Sequence, residues 1–239
     1  MDYSSSSLDK QYLLHTPMAF VLQKYTLKEI EQVYDENGWN ILHQVVADAN
    51  IPKITELLHF SFDIKLNTTK NLIPLNIYVL NEKKKQEKVS FFSNIPFAKN
   101  GFTAPHLAMF LFHFYSQLSE DFFYQNLADK YKQILSLLIT EQSIKEIKDK
   151  SSHSLFDYAF LLENISLIDF MHMKDTSFSS LSEINPQTAK KIIEVMTIKY
   201  KDGSHQHMID FLQKKILKDS LEQDLKKNEY SSNKTVNKI

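Results

Sequence analysis

The side chains best placed to do chemistry are histidines, serines and acids, and each grouping can be tested on its spacing alone. His205 and His207, in "SHQH", form an H-x-H pair of the kind that ligates zinc when further ligands come from elsewhere. On a helix, however, residues two apart diverge by about 200 degrees, and neither a Cys nor an H-E-x-x-H is present to complete a site. Ser151, His153 and Asp157 have the residue types of a hydrolase triad, but no nucleophile-elbow glycine motif or oxyanion loop surrounds them. The expected readings are a solvated helix start for the first group and no catalytic residue in the second. No metal site and no cofactor is expected.

Composition narrows the function further. The chain has 239 residues and 43% hydrophobic content, enough to bury a substantial core. With no Cys, disulfides and thiolate chemistry are excluded, and a reducing compartment is allowed. All 28 basic residues are Lys, so bidentate guanidinium recognition of phosphate or guanine is absent, and a formal net charge of -1 lacks the electrostatic footprint of a nucleic-acid binder. The start "MDYSSSSLDKQYLL" carries an acid where a classical signal peptide needs a basic region, and no later stretch approaches the length of a membrane span. A soluble, cytoplasmic protein with no nucleic-acid partner and no stable membrane insertion is expected. The excess of Lys, Asn, Ile and Phe fits an AT-rich coding genome.

The elements that must position these side chains read as helices. Only three Gly and six Pro in the chain, beside long amphipathic runs, predict an all-α protein. "TLKE" has the spacing of a capping box, with Thr26 as N-cap and Glu29 three residues on. Asn185 and Pro186 mark another helix start, followed by a stripe of Ile192, Ile193 and Met196. Met208, Phe211, Leu212, Ile216 and Leu221 line one side of a long terminal helix, and beyond Tyr230 the polar run "SSNKTVNKI" predicts a disordered tail.

Four segments share an arrangement of a turn, a polar anchor and apolar helix positions: 35–58, 68–80, 98–110 and 149–171. Their anchors are His43, Asn76, His106 and Asp157, separated by 33, 30 and 51 residues. The pattern resembles the ankyrin-repeat family, whose unit of about 33 residues is a turn plus two antiparallel helices with a T-P-L-H-x-A signature. The first segment matches through Asp35, Gly38, Asn40, Leu42 and His43 and, in the second helix, Ala49, Asn50, Ile54, Leu57 and Leu58. The third keeps Gly101, Thr103, His106 and Ala108, the second Pro74 and Leu75, and the fourth Asp149, Phe156, Ala159 and Asn164. The resemblance implies an ankyrin-like helical solenoid over 35–172, with N-terminal capping helices at 1–34, a C-terminal helical cap at 173–229 and the tail at 230–239. Within it, "LFHFYSQLSEDFFYQNLADKY" predicts lengthened helices, and "NEKKKQEKV" a charged loop.

The resemblance also assigns roles. His43 and His106 fall at the signature position, where histidine stabilises the entry to the first helix. Trp39 and Phe102 each follow a turn glycine and His153 follows Ser152, so the three are expected to line an exposed strip on successive turns, a source of rigid binding anchors. Glu36, Asn37, Trp39, Asp48, Phe102, Lys150 and His153 are the candidate partner-binding residues. The function implied is a non-enzymatic protein–protein interaction module, similar to ankyrin-type effectors that intracellular bacteria deliver into host cells, with a host protein as partner. Two alternatives stand beside it: an enzyme or enzyme regulator with its site in the C-terminal helical half, and a structural protein that self-associates through its Phe-rich segment.

Overall fold

A computed structural model describes residues 8–70, 76–80, 86–90, 101–118, 121–141, 143–150, 152–162, 164–174, 186–199, 203 and 206–236. The chain is mostly helical and divides into two compact units, Met1–Tyr158 and Ala159–Ile239. The division falls inside a helix, and the expected boundary at residue 172 lies within the next helix.

In the first unit, α1 (Lys10–His15), α2 (Met18–Val21) and α3 (Leu27–Glu31) precede two pairs of longer helices. The Thr26–Glu29 capping box forms as the spacing predicts, with Glu29 accepting from the Thr26 amide at 2.7 Å. Next come α4 (Ile41–Ala47) and α5 (Ile51–His59), joined by a link in which Ala49 adopts φ 49°. The second pair is α6 (Ala104–Gln117) and α7 (Phe122–Leu138). At 14 and 17 residues these exceed the 7 and 9 of α4 and α5, as expected for this segment. α4 packs on both α5 and α6, α5 packs on α7, and α6 pairs with α7, so the two pairs stack in two layers. Tyr124, Ala128, Tyr131, Leu135 and Leu138 recur at alternating intervals of four and three along α7 and form its buried face. Tyr131 also ties the pairs together, its hydroxyl donating to the Ala47 carbonyl at 2.8 Å.

The segment read as a second repeat does not form one. Asn76, its anchor, opens strand β1 (Asn76–Leu80), which pairs antiparallel with β2 (Gln86–Ser90) in the register Asn76↔Ser90 to Leu80↔Gln86. β-branched and aromatic residues in "NIYVL" favour extended backbone, and that preference decides the local structure. Pro74, Leu75 and the Lys83–Lys85 run lie outside the described residues.

Helix α8 (Leu155–Leu161) spans the division between the units. The second unit continues with α9 (Ile165–Lys174), α10 (Pro186–Lys199) and α11 (Gln206–Val236). α10 begins at Pro186, the position predicted for the helix start; Asn185 lies outside the described residues. α11 packs on α10, buries Met208 and Leu212 and continues to Val236, past the point where a disordered tail was expected. Once a helix is nucleated, each further residue adds a hydrogen bond at modest cost, so a polar sequence can extend it.

Candidate interaction surface

Three turns share one set of hydrogen bonds. In the first, the Asp35 amide donates to the Trp39 carbonyl at 3.0 Å and the Asp35 carboxylate accepts from the Trp39 amide at 2.8 Å. In the last, the Asp149 amide donates to the His153 carbonyl at 3.0 Å and its carboxylate accepts from the His153 amide at 2.8 Å. The middle turn replaces the acid with a hydroxyl: the Thr68 amide donates to Phe102 at 3.0 Å, and Thr68 Oγ1 accepts from the Phe102 amide at 3.2 Å. Each turn passes through a positive φ just before the paired residue, at Gly38 (77°), Gly101 (77°) and Ser152 (67°).

The chain takes three steps from Asp35 to Gly38 and three from Asp149 to Ser152, but 33 from Thr68 to Gly101. The middle turn is therefore interrupted by thirty extra residues, which contain the β1–β2 hairpin. Without them, the helix N-caps Asn40 and Thr103 would stand 33 positions apart. Among the described residues the array comprises three turn-and-helix units, where four were expected, and the apparent period ending at Asn76 is a coincidence of numbering.

Neighbouring turns bond side by side. The Thr69 amide donates to Gly38 O at 2.9 Å and the Lys150 amide to Gly101 O at 3.5 Å. The close approach leaves no room at either glycine: a Cβ on Gly38 would sit 2.5 Å from Lys70 N, and one on Gly101 would sit 2.9 Å from Lys150 Cδ.

The three anchors occupy equivalent places, each in the first turn of its helix and bonded to the N-cap. His43 Nδ1 lies 2.7 Å from Asn40 Oδ1, His106 Nδ1 lies 2.8 Å from Thr103 Oγ1, and Asp157 accepts from Ser154 Oγ at 2.8 Å. Asp157 is thus spent on a helix cap, and His153 instead faces Asp149 at 3.2 Å, so these two do not assemble the acid–base pair of a triad. Ser151 and His205 lie outside the described residues. His207 is exposed, and no cluster of three metal-ligating side chains occurs among the described residues.

Both histidines are fully buried, and burial lowers each pKa to about 4. For His43 the Phe102 carbonyl and the Asp35 charge oppose the shift; for His106, Asp149 and the His153 carbonyl do so. The Asp35 charge is itself disfavoured by burial, but the Lys10 ammonium beside it and the Trp39 and Asn37 amides outweigh that cost and hold its carboxyl below the usual range.

The expected exposed aromatic strip is a buried ladder. Trp39 is 7% exposed and Phe102 1%. Trp39 meets Phe102 edge-on at 6.3 Å, Phe102 meets Phe110 at 6.1 Å, and Phe110 meets Tyr158 at 5.1 Å. His153, half-buried, touches the end of the ladder at Tyr158. The turn geometry explains the reversal: bonding of Asp35 to both backbone groups of Trp39 folds the ring inward over its neighbour. Trp39 and Phe102 are core residues and leave the set of surface candidates.

Of the remaining candidates, Glu36, Asp48 and Lys150 are exposed, and Asn37 and His153 are intermediate. Glu36, Asn37, Lys150 and His153 lie on the row of turns. Asp48 caps the far end of α4, with Gln44 Nε2 bonded 3.0 Å from each of its oxygens, and is not brought beside them. Thr69 and Lys70, unforeseen, join the row: Lys70 Nζ donates to the Glu36 carbonyl and Lys150 Nζ to Thr69 O at 3.3 Å. The signal for them was "NTTK", which begins a turn that "NGFT" completes thirty residues later. Elsewhere, Phe122 (77% exposed) and Phe123 (60%) start α7, beside an open groove of about 380 Å³ lined by Leu127 and Lys130.

Compared with protein-family models, curated proteins and solved structures, the chain matches none.

Proposed function

We propose that this chain is a non-enzymatic binding scaffold built of ankyrin-like turn-and-helix units, which docks a partner protein along its row of turns. The observation that carries this reading is the triplicated turn. Three segments use the same hydrogen bonds, and backbone bonds between neighbours fix their spacing, so the exposed side chains of Glu36, Thr69, Lys70 and Lys150, with the half-buried Asn37, are held on a rigid polar edge. Such an edge offers both signs of charge and recognises by charge pattern and hydrogen bonding. The buried aromatics support it from beneath without touching the ligand. A protein of a host cell is the partner class that the resemblance to delivered effectors adds.

The reading is tested by affinity capture from eukaryotic lysate with wild type and a Glu36→Lys, Lys70→Glu, Lys150→Glu variant whose helicity and melting match. Loss of one stoichiometric partner in the variant supports docking at the turns. Equal capture by both chains removes the turns from the binding surface.

A further inference from the structure

Two lysines on the row of turns are fixed in place without being neutralised. Lys70 Nζ donates to the Glu36 carbonyl on the turn before it, and Lys150 Nζ donates to the Thr69 carbonyl at 3.3 Å. The Lys150 stem crosses the preceding turn at Gly101, where a Cβ would sit 2.9 Å from Lys150 Cδ. Lys70 crowds Gly38 in the same way, its Cβ lying 3.0 Å from where a Cβ on that glycine would stand. Each lysine thus leans on the turn before its own, in the room that a glycine leaves. Both are exposed, and among the described residues no carboxylate forms an ion pair with either. A neutral carbonyl orients an ammonium but leaves its charge, and an ammonium has three donors, so each lysine keeps hydrogen-bonding capacity for a ligand.

The other charges of the row do not cancel these two. His153 faces Asp149 at 3.2 Å, and Glu36 forms no ion pair with Lys70, although its carbonyl holds the Lys70 head. The chain as a whole has a formal net charge of -1, so attraction of an anion is local to this edge. Given docking along the row of turns, on which this rests, we infer that the partner presents an extended acidic segment, with one carboxylate on Lys70 and another on Lys150. The two heads are offset by one turn. Helices headed by successive turns pack about 8–10 Å apart, which about three residues of extended chain span at about 3.3 Å each. Lysine, a compact point charge, takes a carboxylate without the planar fork that arginine offers. Nucleic acid fits the edge less well, because Trp39 and Phe102 are buried and give bases nothing to stack on.

The test is fluorescence anisotropy of a labelled polyglutamate peptide of about nine residues, long enough to pass both lysines, titrated with the full chain at low salt. Wild type should bind it and release it as salt is added. Lys70→Met and Lys150→Met keep the stems and remove the charges, and each should weaken binding by about five- to tenfold. Lys70→Arg and Lys150→Arg keep the charges and should bind like wild type. So should Lys132→Met, which removes an exposed lysine of α7. The acidic partner is overturned if wild type does not bind the peptide, if Lys132→Met weakens binding as much as Lys70→Met, or if oligothymidylate of the same length binds more tightly than the peptide. Absent peptide binding, beside lysate capture that the turn variant loses, would overturn the acidic partner alone and leave the turns as the docking edge.

Discussion

His43 Nε2 lies 2.9 Å from the carbonyl oxygen of Phe102, 59 positions further along the chain, while its Nδ1 lies 2.7 Å from Asn40. A neutral imidazole carries one N–H; placed on Nε2 it donates to the next turn, while the His43 backbone amide donates to the Asn40 cap at 3.1 Å. His106 has the same relation to its own cap and its Nε2 faces the His153 carbonyl, but no hydrogen bond closes there. Replacing each histidine with Ala should therefore have unequal effects. His43→Ala leaves a buried carbonyl without its donor as well as a cavity, and is expected to cost about 3–4 kcal/mol. His106→Ala, with no such bond to lose, should cost about 1 kcal/mol less. Urea denaturation of the two variants checks the order, and equal costs would mean that the His106 bond closes in solution.

The same histidines make the fold sensitive to acid. Their folded pKa of about 4 lies below the ordinary 6.5, so the unfolded chain binds their protons first. Their contribution is fully present above pH 6.5 and is lost as the pH falls from 6.5 towards 4, at about 3 kcal/mol for each group. The urea midpoint should drop steeply over that window, and a His43→Gln, His106→Gln chain should show a shallower fall. Equal slopes in the two chains would assign the acid sensitivity to other groups.

Gly38 combines a positive φ with a backbone nitrogen 2.5 Å from the site of a Cβ. Gly38→Ala is expected to cost about 2–3 kcal/mol, more than the conformational term alone. Ser152 holds the same turn position at φ 67° with a side chain already present. Ser152→Gly should therefore be neutral or stabilise by up to about 1 kcal/mol, read as a small rise in melting temperature.

Deleting residues 71–100 joins Lys70 to Gly101 and recreates a turn of the same length as Asp35–Gly38 and Asp149–Ser152. The shortened chain should keep its helicity and unfold cooperatively, with Trp39 fluorescence reporting an intact middle turn through the Trp39–Phe102 contact. A molten or aggregated product would mean that the inserted segment is needed for the array to form.

Much of the scaffold was legible because local rules agreed with the fold. The Thr26 capping box and the start of α10 at Pro186 follow from short-range chemistry, while the long α6 and α7 and the helix-start role of His43 and His106 were read from the resemblance. Asn76 misled because a matching period concealed a 30-residue interruption, whereas the strand preference of "NIYVL" gave the better reading. Trp39 and Phe102 misled for another reason. A residue beside a turn glycine can point either way, and the direction is set by a neighbouring turn, Thr68–Phe102, whose halves are far apart in sequence. Thr69 and Lys70 were missed on the same ground.

The excursion between Thr68 and Gly101 leaves and re-enters the scaffold at a single clasp, closed by the Asn67–Thr103 bridge and the Thr68–Phe102 bonds. Closing a longer or shorter loop at such a clasp changes its entropy only with the logarithm of its length. New sequence can therefore accumulate there with little effect on the rest of the molecule. The middle turn is a natural grafting point, where foreign peptides could be displayed and variation could explore new contacts while the helices keep their packing.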